Sequence, residues 1–247
     1  MRVPKIVLSI YIFLIVVSCS KKSDTSPTAP VNASISGQVA LYNDGSTLLA
    51  NSGMTVSLDN TFPLYSSVTN GNGMYSIPQV PFGNSTLVFE KAGYGTYKIF
   101  NINHAYNNGA GTVLSTLASL GKISTTAVTG LTAIVSSGNV TVGITSIPGG
   151  TDASPRYLRL FLSFRTGVSH TNYQTAFDLI ISKTNTVEKI LTKAELNTLG
   201  FASGSTAYVR AYGDSFWSNS YEDPLAVRTI FPNLNLSTVA AASFIVP

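Results

Sequence analysis

The chain has 247 residues, with 15 Lys and Arg against 11 Asp and Glu, a formal net charge of +4 and a single cysteine. Apolar residues make up 44% and charged ones only 11%, enough for a real core in one large or two small domains. One cysteine excludes a disulfide framework within the chain, and no Lys/Arg cluster interleaves with aromatics, so nucleic acid is not an expected partner.

Residues 1–18 read as an export signal. Arg2 and Lys5 form a short basic n-region, and Ile6 to Val17 is an almost unbroken apolar run. That run is shorter than the roughly 20 residues a membrane-crossing helix needs, and it fits the h-region of a signal peptide. Small Ser18 precedes Cys19, and Val16-Val17-Ser18-Cys19 resembles the bacterial lipoprotein signal. The resemblance implies that Cys19 carries lipid, which makes a membrane the first expected partner. The alternative is an ordinary secretory peptide cut nearby, with Cys19 incidental; both take the protein out of the cytoplasm. Once Arg2 and Lys5 leave, 13 basic residues face 11 acidic ones. Residues 19–33 follow as a flexible linker, rich in Ser, Thr, Pro and Lys and without apolar periodicity. Ser20 directly after Cys19 resembles lipoproteins of the Gram-negative outer membrane, which implies that location, with the face left open.

From Ile35 the pattern has a period of two. Ile35, Gly37, Val39 and Leu41 share one face of a strand, and Met54, Val56 and Leu58 one face of the next. Between them, Tyr42 to Gly53 with Asn43-Asp44-Gly45 reads as a loop. Thr69 to Ile77 carries Asn-Gly pairs that tolerate positive φ, so a hairpin turn feeds a strand there. Val80-Pro81-Phe82-Gly83 makes another turn before the strand of Leu87 and Phe89, which Lys91-Ala92-Gly93-Tyr94 ends.

These segments occur in the order seen in carboxypeptidase regulatory-like domains, and residues 34–122 resemble that family. The resemblance implies a transthyretin-type β-sandwich of about seven strands that accompanies enzymes, receptors and adhesins without doing chemistry itself. Thr61 to Tyr65 lengthens the connection before a Ser66–Thr69 strand, and the Asn- and Gly-rich loop His104 to Gly111 is a second departure. Val113 to Leu120 supplies the last strand, with the boundary near Gly121–Thr126.

In residues 123–247, Val140, Val142 and Ile144 alternate, and Ile147 to Asp152 turns the chain. In the strand Tyr157 to Arg165, Leu158, Leu160, Leu162 and Phe164 are expected to face a core. Tyr157, Arg159, Ser163 and Arg165 are expected to face outward, with Phe161 among them. Phe177, Leu179 and Ile181 read as a further strand. Thr192 to Glu195 is a capping box with Leu191 and Leu196 as its hydrophobic staple, and Gly200 stops that short helix. Gly204 to Tyr212 resembles strand F of a fibronectin type III-like domain, with Tyr208 at the place of its tyrosine corner. The usual Trp of an early strand is missing, since Trp217 comes later, and an immunoglobulin-like sandwich is the alternative. Phe244-Ile245-Val246 would close the domain. The expected fold class is therefore all-β, two consecutive β-sandwiches with one short helix.

Little in the sequence points to catalysis. His104 and His170 have no carboxylate or second histidine at metal-ligand spacing and read as loop residues. Asp214, Glu222 and Asp223 fall around one hairpin without the calcium-loop pattern and read as solvated charges. No G-x-S-x-G elbow, phosphate loop or zinc-peptidase motif occurs, so no enzyme activity, cofactor or metal is expected. The segment Tyr212 to Tyr221 holds the sharper candidate. Tyr212, Phe216, Trp217 and Tyr221 beside Asp and Asn offer a sugar ring an apolar face and polar edges. The alternative is that Trp217 and Tyr221 simply pack the bottom of their own domain. The expectation is a non-catalytic, lipid-anchored envelope protein that binds or supports outside the cell, with a glycan or a surface protein as partner. The rivals are a glycan-binding accessory lipoprotein of nutrient uptake and an enzyme with an unrecognised site.

Overall fold

The computed structural model describes residues 31–247. The signal segment 1–18, the lipidation candidate Cys19 and the linker up to residue 30 lie outside the described residues. The fold is all-β, as the alternating patterns require, and strands join into several sheets that pack face to face.

The N-terminal part contributes β1 (Asn32–Tyr42), β2 (Thr55–Leu58), β3 (Ser66–Val68), β4 (Met74–Pro81), β5 (Gly83–Glu90), β6 (Tyr97–His104), β7 (Thr112–Val113) and β8 (Ala118–Gly121). β1 pairs antiparallel with β4 on one side, and parallel with β7 and then β8 on the other. The second sheet runs β3-β2-β5-β6. Ile35, Leu41, Val56, Ile77, Leu87, Phe89 and Leu120 fill the space between the two sheets. The Asn-Gly turn forms where its chemistry predicts: Asn70 Oδ1 accepts from the N–H groups of Asn72 and Met74. Gly73 there has φ +77°, and a Cβ on it would lie 2.1 Å from Val39 O.

The C-terminal part contributes β9 (Ala127–Ser136), β10 (Asn139–Ile147), β11 (Arg156–Ser163), β12 (Thr175–Ala176), β13 (Ile180–Ser182), β14 (Thr186–Thr192), α1 (Lys193–Thr198), β15 (Thr206–Asp214), β16 (Tyr221–Asp223), β17 (Arg228–Ile230) and β18 (Ala242–Ile245). A β14-β10-β9 sheet faces a sheet built on β11, β15 and β18. Val140, Val142, Ile144, Leu158, Leu160, Leu162 and Val209 fill the gap. The N-cap half of the capping box forms as expected, while the Glu195 carboxylate lies 3.6 Å from Lys189 Nζ instead of reaching back to Thr192 N–H. Thr192 Oγ1 accepts from Glu195 N–H at 3.1 Å, Leu191 and Leu196 are buried, and Gly200 follows with φ +86°. The strand expected over Phe177, Leu179 and Ile181 is instead two fragments, β12 and β13, both on β11.

One expectation fails along β11. Tyr157, Arg159 and Ser163 are buried rather than outward-facing, because the far face of β11 and β15 is also covered. Phe161, Val168, Tyr212, Phe231 and Leu234 form a second core there, so this sheet is a middle layer. Arg159 is accommodated by three partners. Its Nε donates to Asp214 at 2.7 Å, its Nη1 donates to Phe177 O at 2.8 Å, and its guanidinium lies 4.3 Å from the Phe231 ring centroid. Asp214 is therefore a buried ion-pair partner and not a solvated hairpin charge. Phe164, expected in the core, is 43% exposed and stacks on Phe201 with centroids 4.2 Å apart.

Candidate functional site

Two asparagines tie the N-terminal sheets to the C-terminal ones. Asn219 Oδ1 accepts from Gly121 N–H at 2.8 Å, and its Nδ2 donates to Gly121 O at 3.0 Å and to Asn233 Oδ1 at 3.1 Å. Asn233 Nδ2 donates to Gly121 O and to Trp217 O, and its Oδ1 accepts from Gly95 N–H. Asn219 sits at φ +53°, a conformation its residue type tolerates. The backbones come so close that a Cβ on Gly95 would meet Pro232 O at 2.2 Å, and one on Gly121 would meet Trp217 O at 2.4 Å. Asp44 adds a second tie, accepting from Phe216 N–H through its carbonyl and from Thr125 through its carboxylate.

Beside this knot lies a cleft of about 850 Å³, within the range of small-ligand sites. One wall is the run Val113 to Leu120, which includes β8. The opposite wall is Phe216 to Ser220, and Tyr97 and Ile99 of β6 complete it. Among the described residues no Asp, Glu, Lys, Arg, His or Cys lines it. Val113, Leu117 and Phe216 are exposed at its rim.

The expected contact residues separate here. Phe216 and Trp217 line the cleft. Trp217 is half-buried: its ring lies 5.2 Å from that of Tyr42, tilted by 33°, and Phe216 meets it edge-on. Its Nε1 is buried without a hydrogen-bond partner among the described residues. Tyr221 packs on Tyr97 and Phe100 of β6 beyond the cleft lining. Trp217 and Tyr221 thus pack against the N-terminal sheets rather than the bottom of their own. Tyr212 leaves the contact set altogether, because it is buried in the second core against Phe161. Asn219, Asn233 and Ser119 were not legible as site residues, since each needs partners far away in the chain.

The titratable groups stand apart from the cleft. His104 is not a loop residue but the last residue of β6, fully buried. Its Nδ1 is 2.7 Å from Thr112 Oγ1 and its Nε2 is 3.1 Å from Val80 O. His170 is partly buried, and desolvation, reinforced by Arg210, holds its pKa below the usual histidine range. Glu222 and Asp223 stay on the exposed hairpin of β16 and β17, where Asp223 Oδ1 accepts from the N–H groups of Leu225 and Ala226. Among the described residues no three His, Cys, Asp or Glu side chains gather as metal ligands.

No family model matches the chain, and no curated protein matches its sequence. Solved structures overlap it loosely. A Bacteroides uniformis protein to which carbohydrate binding is provisionally ascribed is 12% identical, over 87% of this chain and 99% of its own, with a TM-score of 0.33. A DUF3823 family protein of Bacteroides ovatus is 13% identical, over 75% of this chain and 91% of its own, with a TM-score of 0.25. The major pilin SpaD of Corynebacterium diphtheriae is 10% identical, over 87% of this chain and 66% of its own, with a TM-score of 0.28. Overlaps this loose say nothing about the cleft.

Proposed function

We propose that the protein is a non-catalytic binding module of the cell envelope, tethered to the outer membrane through a lipid on Cys19. The observation that carries the reading is the cleft beside β8, which is large enough for a ligand yet, among the described residues, lined by no acid, base or thiol. General acid–base and nucleophilic chemistry need such groups within hydrogen-bond reach of the reacting atoms. Ser115, Thr116, Ser119, Ser218 and Ser220 are hydroxyls without an activating base beside them in that lining. The sequence Ser18-Cys19-Ser20 supports the tether and the location.

The test has two arms on the full chain in a Gram-negative host. Mass spectrometry of membrane-extracted protein should find a lipid mass on Cys19, and Cys19→Ser should move the protein to the soluble fraction. Purified protein should turn over no ester, glycoside or peptide substrate; turnover abolished by a substitution in the cleft would overturn the reading.

Glycan binding is the second reading, and Phe216 favours it. The residue is 41% exposed at the rim, next to Ser218 and Ser220. On a glycan array, binding that disappears in Phe216→Ala would establish it, and an array without signal would dismiss it.

A further inference from the structure

The cleft wall formed by β8 is an edge strand with one rung of its ladder open. Lys122 N–H points back to Tyr42 O on β1, whereas Gly121 N–H points the opposite way, to Asn219 Oδ1. Backbone groups alternate in direction along a strand, so Ser119, two residues before Gly121, also turns its N–H and C=O away from β1. Among the described residues neither group has a hydrogen-bond partner. At Gly121 the Asn219 carboxamide supplies both an acceptor and a donor, as the backbone of a neighbouring strand would. The position beside β8 thus begins with a side-chain mimic of a strand and continues as open cleft.

We infer that the cleft accepts an extended, uncharged peptide segment as an added strand beside β8, hydrogen-bonded to the Ser119 backbone. This rests on the reading of the cleft as a ligand site. Main-chain hydrogen bonds supply affinity in strand addition, and pockets for alternate side chains supply selectivity. The walls here are aliphatic and aromatic: Val113, Leu117 and Ile99 suit apolar side chains. With no charged residue in the lining, a charged occupant would be desolvated without compensation. A peptide fits the inner wall better than a sugar does. The Trp217 ring is already packed on Tyr42 and Phe216, and its Nε1 is shut away, so no free donor is offered there. Edge strands that keep unpaired backbone beside apolar surface are the usual acceptors of a foreign strand.

The probe is the capped hexapeptide acetyl-Thr-Val-Thr-Val-Thr-Val-amide, titrated into purified protein and read by amide NMR and calorimetry. Binding should slow amide exchange at Ser119. N-methylation of the peptide at alternate backbone nitrogens should weaken binding at least about tenfold, the equivalent of one lost hydrogen bond. Replacing the valines with lysines should abolish it. Leu117→Asp, at an exposed position of the wall, should not bind although it stays folded. Absence of peptide binding, or binding indifferent to N-methylation, would overturn the inference. A glycan that binds the same protein and shifts Ser119 while the peptide does not would overturn it too, yet leave the binding-module reading intact. Turnover would instead sink that broader reading, so the two failures are distinguishable.

Discussion

Arg159 on β11 and Asp214 on β15 meet through a 2.7 Å Nε–Oδ2 hydrogen bond, with side-chain exposures of 9% and 0%. The two residues lie on paired strands, and both are sealed beneath the second core. Removing one partner strands the other charge inside the protein. Asp214→Leu should therefore cost about 3–5 kcal/mol, read as a lower urea midpoint. The double change Arg159→Met with Asp214→Leu should recover most of that loss, because no unpaired charge is left behind.

The joint between the sheets predicts a different pattern. Asn219→Ala leaves Gly121 N–H without its partner and should cost about 1–3 kcal/mol, with extra strain at positive φ. Asn219→Gly relieves the strain but still lacks the carboxamide, so it should recover only part of the stability. Hydrogen exchange at Gly121 should accelerate in both variants.

Close backbone approach sets a third outcome. A Cβ on Gly213 would fall 1.8 Å from Thr126 O, so Gly213→Ala forces β15 away from the segment entering β9. Overpacking of this kind costs about 1–3 kcal/mol or more. Gly71→Ala is the control: nothing lies within 4 Å of its Cβ, and thermal unfolding should shift little.

Tyr75 gives a pH dependence. Burial pushes its hydroxyl from the ordinary 10.0 up to about 12. Above pH 10.0 the unfolded chain releases this proton while the folded one keeps it, so stability falls as pH rises toward about 12. Tyr75→Phe should flatten that slope in urea melts taken between those pH values, and the ultraviolet tyrosinate titration should lose its latest step. A slope identical to that of the unaltered protein would disprove the assignment.

The alternation of Ile35, Val39 and Leu41, the Asn70 turn and the Thr192 cap were all legible, because each depends on neighbours within a few residues. Arg159 and Asp214 were misjudged for the opposite reason. They are 55 positions apart, and one-sided alternation along β11 cannot reveal that Val168, Phe231 and Leu234 return to cover its other face. His104 was hidden likewise: the Asn- and Gly-rich stretch after it suggested a loop, whereas Thr112 and Val80 hold it at the end of β6. In the cleft, Phe216 and Trp217 stood out by their size. Ser119 did not, since what matters there is the direction of its backbone, which follows from the pairing of β8 with β1.

The knot of Asn219 and Asn233 is made of carboxamides and peptide groups, none of which carries net charge. Dissolved ions weaken attraction between charges and leave dipole pairs of this kind nearly untouched. Raising or lowering the salt concentration should therefore leave these bonds in place, whereas the charged tie through Asp44 and Arg156 should respond to it.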